Sequence, residues 1–118
     1  QLIIEGQGFS IIPEAKWTKA LARRSEVIVG IRPENISVHF QKPSGSLNSA
    51  RAAVEVVELL GNIKLLTMDL SGSVLKVSVE PHTEVNAGEN VWLTWKEDKL
   101  CFYDADTEWA ITPAEVGA

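Results

Sequence analysis

The sequence predicts an all-β domain with one short accessory helix, and three observations carry that expectation. Apolar, β-branched runs recur along the chain, each bounded by Gly, Pro, Asn or Ser turn signals. Some show the period of a strand, as where Val74, Lys76 and Ser78 alternate with Leu75, Val77 and Val79. Only Ala15–Arg24 carries a helical period. Short strands spaced in this way fit a closed barrel or a sandwich.

Taken in order, Gln1–Glu5 reads as a strand, Gly6-Gln7-Gly8 as a turn and Phe9–Ile12 as the return strand of a hairpin. Pro13 suits the first turn of a helix, and Ala15–Arg24 is rich in helix formers. Trp17, Ala20, Leu21 and Arg24 fall on one helical face, while Lys16, Lys19 and Arg23 fall on another. Arg23 and Arg24 complement the dipole in the last turn. Val27–Arg32 and Ile36–Phe40 are strands around a corner at Pro33. Gln41–Arg51 holds Pro43, Gly45, Asn48 and three serines, so it reads as a loop. It divides a single domain, residues 1–112, into sub-parts 1–40 and 52–112. Ala52–Leu60, Ile63–Leu70 and Val74–Val79 are strands joined by Gly61-Asn62 and Ser71-Gly72-Ser73. After the loop Pro81–Glu89, Val91–Trp95 and Leu100–Tyr103 flank the charged turn Lys96–Lys99. Glu108–Thr112 is a candidate edge strand, and residues 113–118 form a tail.

Composition narrows the function classes. A chain of 118 residues with 45% hydrophobic and 23% charged residues is ordinary globular material of single-domain size. No apolar run approaches the ~20 residues that span a bilayer. The net charge of -5 is uneven: residues 1–59 hold seven basic and six acidic groups, residues 60–118 four basic and ten acidic. An acidic half argues against nucleic acid as a partner, because that binding rests on Lys and Arg neutralising phosphates. Cys101 is the only cysteine, so an internal disulfide is excluded. There is no Gly-x-x-x-x-Gly-Lys-Ser/Thr phosphate loop and no Gly-x-Ser-x-Gly elbow. His39, His82 and Cys101 are too far apart in sequence for a zinc pattern. No nucleophile, base and oxyanion grouping can be assembled, so catalytic residues, cofactors and metals are expected to be none.

The most informative motif is Gly30-Ile31-Arg32-Pro33-Glu34, which ends one apolar run and precedes another. Proline locks φ, removes a donor and pushes Arg32 toward extended geometry. The corner therefore fixes a cation and an anion at a strand end, which suits a structural or switching contact better than catalysis. Between strands, this motif resembles one in the C-terminal regulatory region, called TOBE, of ATP-binding subunits of carbohydrate-type ABC importers. Val54-Glu55-Val56-Val57-Glu58-Leu59-Leu60-Gly61, Asn86-Ala87-Gly88-Glu89-Asn90-Val91-Trp92-Leu93 and Lys99-Leu100-Cys101-Phe102-Tyr103-Asp104 resemble three further family stretches in the same order.

The resemblance implies an OB-like β-barrel, assembled from both sides of the 41–51 loop. It also implies a non-catalytic regulatory and dimerisation domain, with ATP and Mg bound only by a domain N-terminal to Gln1. Implied partners are a twin in a homodimer, membrane permease subunits through that other domain, and a cytoplasmic regulator. Implied cargo is a sugar or related solute, and implied location is the cytoplasmic face of the membrane. Candidate regulatory or interface residues are Arg32, Pro33 and Glu34 at the corner, with Glu58 and Gly61 at the turn of the Glu-x-Leu-Gly stretch.

Each candidate also has a plain reading. Arg32 can cover apolar surface with its stem, Glu34 can be a solvated turn residue, and Gly61-Asn62 can be simple hairpin chemistry. Trp92 and Trp95, three apart on one strand, must point to opposite faces, and residue pattern does not say which is exposed. Trp109 beside an acidic stretch is an interface candidate. The basic helix face of Lys16, Lys19 and Arg23 is a solvated face or a small membrane-surface or partner patch, with three cations too few for stable membrane anchoring. An alternative function remains open: a free-standing OB-like module whose serine-rich 41–51 loop helps hold a small oxyanion or oligosaccharide.

Overall fold

A computed structural model describes residues 2–44 and 48–113. Nine strands dominate it: β1 (Ile4–Gly6), β2 (Phe9–Ile11), β3 (Val27–Gly30), β4 (Ile36–His39), β5 (Ser49–Leu60), β6 (Ile63–Leu70), β7 (Ser73–Val79), β8 (Asn90–Trp95) and β9 (Cys101–Asp104). The helical segment splits into a 3-10 turn, Ala15–Trp17, and α1, Thr18–Ala22. It is shorter than the helix expected over Ala15–Arg24, but its faces are as read. Trp17, Ala20 and Leu21 are buried, whereas Lys16, Lys19 and Arg23 are exposed. Arg24 donates from Nη1 to the Ala20 carbonyl at 2.6 Å, closing the helix C-terminus.

β5 organises the larger sheet. One of its edges carries β2 at Ser49–Ala50 and β6 from Ala53 onward. The other carries β8 from Ser49 to Ala53, and β8 in turn carries β4. The expected 41–51 loop is therefore shorter than read: Ser49–Arg51 belong to β5, because Ser49 and Ala50 find partners on both edges, in β2 and β8, and Arg51 pairs with Trp92 of β8. Gly45–Leu47 and the residues 114–118 of the expected tail lie outside the described residues. A bulge at Glu55 shifts the register between Val54 and Val56. Val54 points inward at 1% exposure, but beyond the bulge Val57, opposite Leu66, takes the inward position and Val56 is 46% exposed.

The larger core forms between the inward residues of these strands, including Ala50, Ala52, Val54, Leu66, Met68, Val77, Val91 and Leu93. A closed barrel is not what the strands make. β7 lies against β4 and against the Pro33–Asn35 turn, yet no ladder joins them among the described residues. β4 is only four residues long, bounded by that turn on one side and by the Phe40–Ser44 segment on the other.

A second, two-stranded sheet pairs β3 with β9. The expected edge strand at Glu108–Thr112 reduces to one bridge, Tyr103↔Ala110, framed by hydrogen bonds from Asp104 N to Trp109 O and Ile111 N to Phe102 O. This sheet, α1 and β2 enclose the second core of Ile11, Trp17, Ala20, Leu21, Leu100, Phe102 and Ile111. Trp17 meets Phe102 edge-to-face with centroids 4.9 Å apart. Phe9, Ile31 and Trp95 pack against both cores. No described helix is long and apolar enough to cross a membrane.

Candidate functional site

The Gly-Ile-Arg-Pro-Glu corner is built as its residue types require. Arg32 is extended (φ -76°, ψ 146°), Pro33 opens a 3-10 turn through Asn35, and Ile36 returns to extended geometry. The turn is held at both ends: Asn35 N donates to Arg32 O at 2.9 Å, and Lys96 N donates to Asn35 O at 3.1 Å. The corner is thus clamped between its own hydrogen bond and the end of β8. The side chains of Arg32 and Glu34 are both exposed, and neither makes an ion pair or hydrogen bond with another described residue.

The two charges diverge. Arg32 borders an open groove of about 520 Å³ with Asn35, Asp98, Lys99, Cys101 and Tyr103. Glu34 borders a different cleft of about 530 Å³, along the unpaired seam between β4 and β7, whose wall includes Asn62, Ile63, Ser78 and Glu80. Tertiary structure therefore brings the β5–β6 turn to the same cleft as Glu34. Gly61 there has φ +60°, the conformation expected of a glycine at the first central position of a two-residue hairpin turn. Glu58 does not line that cleft. It lies opposite Leu65 on the outer face of the β5–β6 hairpin, which also carries the exposed Val56 and Leu60. Leu59 at the tip is 65% exposed.

A cluster that sequence reasoning did not single out lies on the outer face of β5 and β8. Trp92 stands opposite Arg51 in the ladder. The Arg51 guanidinium lies 5.9 Å and the Lys42 ammonium 5.6 Å from the Trp92 ring centroid. Neither cation has a carboxylate partner among the described residues. With Ser10 and Ser49 they line a hollow of about 250 Å³. Nearby, His39 Nε2 and Thr94 Oγ1 are 2.7 Å apart. The signal was present in the sequence only as an odd-spaced Trp on a strand, since the cations come from other segments. Trp95, on the inward face, packs between the cores. Trp109 is 76% exposed.

Elsewhere, the Asp104 carboxylate accepts from the amides of Thr107 and Asp106 at 2.9 Å each, and Arg24 Nε lies 3.4 Å from its other oxygen. Those amides, and then Arg24, hold its pKa below the ordinary 3.8. Among the described residues, no group of three or more His, Cys, Asp and Glu is placed to hold a metal ion.

Comparison with known proteins agrees with this architecture. Residues 29–102 match the TOBE domain family. An uncharacterized ABC transporter ATP-binding protein of Bacillus subtilis, YurJ, is 33% identical over 104 residues, which is 85% of this chain and 28% of that protein. The multiple sugar-binding transport ATP-binding protein MsmK of Streptococcus mutans is 36% identical over 93 residues, 75% of this chain and 24% of that protein. The sn-glycerol-3-phosphate import ATP-binding protein UgpC of Cupriavidus pinatubonensis is 32% identical over 84 residues, 70% of this chain and 21% of that protein. The chain therefore spans about a quarter of the length of these relatives. It belongs to the TOBE domain family, in the form carried by ATP-binding proteins of ABC transporters.

Proposed function

We propose that this chain is the non-catalytic regulatory and dimerisation part of the ATP-binding subunit of an importer for a sugar or related solute. ATP and Mg are bound by another part of the same polypeptide, and the membrane permease is engaged through that part. The subunit works at the cytoplasmic face of the membrane. The β4-β8-β5-β6-β7 sheet is in this reading an OB-like barrel left open at the β4–β7 seam. The observation that carries the proposal is the clamped corner holding Arg32 and Glu34 exposed and, among the described residues, without side-chain partners. Charge-assisted hydrogen bonds are directional and breakable, which suits a joint that forms in one dimer geometry and not another. The exposed Val56, Leu60 and Glu58 on the β5–β6 hairpin supply an apolar surface with a charge in it for the twin or a cytoplasmic regulator.

The test is Glu34→Lys in the full-length ATP-binding protein. Because Glu34 has no partner among the described residues, the substitution should leave domain stability within about 0.5 kcal/mol. It should change the coupling of ATP hydrolysis to transport, or its inhibition. Unchanged coupling and inhibition would remove the corner from the mechanism. The 118-residue chain alone should show no ATP turnover.

A second reading, binding of a small oxyanion, is favoured by one observation: Lys42 and Arg51 face a common hollow with no carboxylate among the described residues to neutralise them. Titration with molybdate, sulfate and simple sugars separates the two readings. Saturable binding that Arg51→Ala abolishes supports the second.

A further inference from the structure

We propose that the groove between β1 and β3 receives a β-strand from another part of the same polypeptide, and that this strand joins the two sheets into one. The inference rests on reading the chain as part of a longer ATP-binding protein.

Among the described residues, β1 is hydrogen-bonded on one edge only, to β2, and β3 on one edge only, to β9. Their other edges border an open groove of about 350 Å³, whose walls include Leu2, Ile3, Ile4, Val27 and Ile28. An open strand edge offers a row of unpaired N–H and C=O groups, the template on which an extended segment adds.

The side-chain phase of the two strands matches. Leu2 and Ile4 on one side, and Val27 and Val29 on the other, face the second core, but all are only partly buried. Ile3 and Ile28 point away from that core and are 43% and 42% exposed. Both walls therefore present the same face to the same core, with a gap between them and Leu21 also lining it. A strand in the gap would set alternate side chains over Leu21 and complete the cover of Leu2, Ile4 and Val27. Its other side chains would lie between Ile3 and Ile28. Regular apolar alternation in the incoming segment follows from this geometry.

The occupant must have two free edges, because the groove has a strand edge on each side. No described strand of a folded second copy meets that condition, since each is already paired on at least one edge. A segment not yet in a sheet does. In the relatives, about three quarters of the polypeptide lies outside the matched region. Leu2 forms part of the groove wall, so a segment joined on its N-terminal side is tethered at the groove. Such a tether makes insertion intramolecular, at a high effective concentration.

The experiment is hydrogen exchange, resolved by residue, on the full-length polypeptide. The amides of Ile4–Gly6 and Val27–Gly30 that point away from β2 and β9 should exchange at least about a hundredfold more slowly than free peptide, independent of protein concentration. Ile28→Glu, or Ile3→Glu if the first variant does not fold, should speed that exchange at least about tenfold. Free-peptide rates at these amides in an otherwise protected long polypeptide would overturn the strand and leave the proposed function standing. Protection that fades on dilution would also overturn it, in favour of a second copy. A native polypeptide of about 118 residues, read from its size in the source cell, would instead sink the proposed function and with it the source of the strand.

Discussion

Replacing Phe102 with Ala tests whether the second core holds the helix and the small sheet to the rest of the fold. Phe102 is 1% exposed and sits edge-to-face against Trp17, with an interplanar angle of 65°. Deleting a buried phenyl ring costs about 3–5 kcal/mol, through lost transfer energy and the cavity left behind. Of that, about 0.5–1.5 kcal/mol belongs to the aromatic pair. The backbone is not the source of the loss, because the Phe102 carbonyl still accepts from Ile111 N and the β3–β9 register is unchanged. Small domains have only about 5–15 kcal/mol of stability, so the variant should lose about a fifth or more. At roughly 4 °C per kcal/mol for a chain of this size, Tm should fall by about 12–20 °C. Urea unfolding followed by far-UV circular dichroism measures the change without relying on Trp17 emission. Hydrogen exchange should show α1 and β3 losing protection before β5, β6 and β8. A double-mutant cycle with Trp17→Leu should return a coupling of about 0.5–1.5 kcal/mol. A loss below about 1 kcal/mol would falsify the assignment of Phe102 to a supporting core.

Three other expectations follow from single sites. At Gly61 a Cβ would meet nothing within 4 Å, so the barrier to substitution is the positive φ alone. Gly61→Val should therefore cost about 1–2 kcal/mol and Gly61→Asn clearly less; equal losses in thermal melts would point to a clash instead. Asp104 is more acidic folded than unfolded, so its contribution is full above pH ~4 and is lost as pH falls through the depressed folded value. The Tm difference between wild type and Asp104→Asn should accordingly be largest near neutrality and shrink in acid, and a gap constant down to pH ~2 would contradict that origin. Trp109 is 76% exposed, so Trp109→Ala should change stability by no more than about 0.5 kcal/mol, and a larger loss in urea titration would mean the ring is covered.

Much of the local structure was legible because it depends on neighbours in sequence. The Pro33 corner follows from proline's fixed ring, and the β5–β6 hairpin from glycine's access to positive φ. The buried face of the helical segment follows from the spacing of Trp17, Ala20 and Leu21. The odd spacing of Trp92 and Trp95 likewise placed them on opposite faces of β8. What failed was of another kind. The run Val54-Glu55-Val56-Val57 has apolar residues at both phases, so nothing in it says where the bulge falls or that Val56 turns outward. Ser49–Arg51 looked like loop because strand formation there depends on β2 and β8, about forty residues away on either side.

The candidate site divides in the same way. Sequence by itself determined a rigid corner with Arg32 and Glu34 side by side, the family of the domain, and a chain without phosphate-loop or triad motifs. Only tertiary structure decided that the two charges face different grooves, that Glu34 shares its cleft with the Gly61-Asn62 turn, and that Glu58 lies elsewhere. It alone placed Lys42 and Arg51 over Trp92, and left β1 and β3 with open edges on one groove. Backbone dihedrals and turn types are set by a few adjacent residues, whereas cleft membership, sheet closure and edge pairing depend on strands that meet only after the chain has folded.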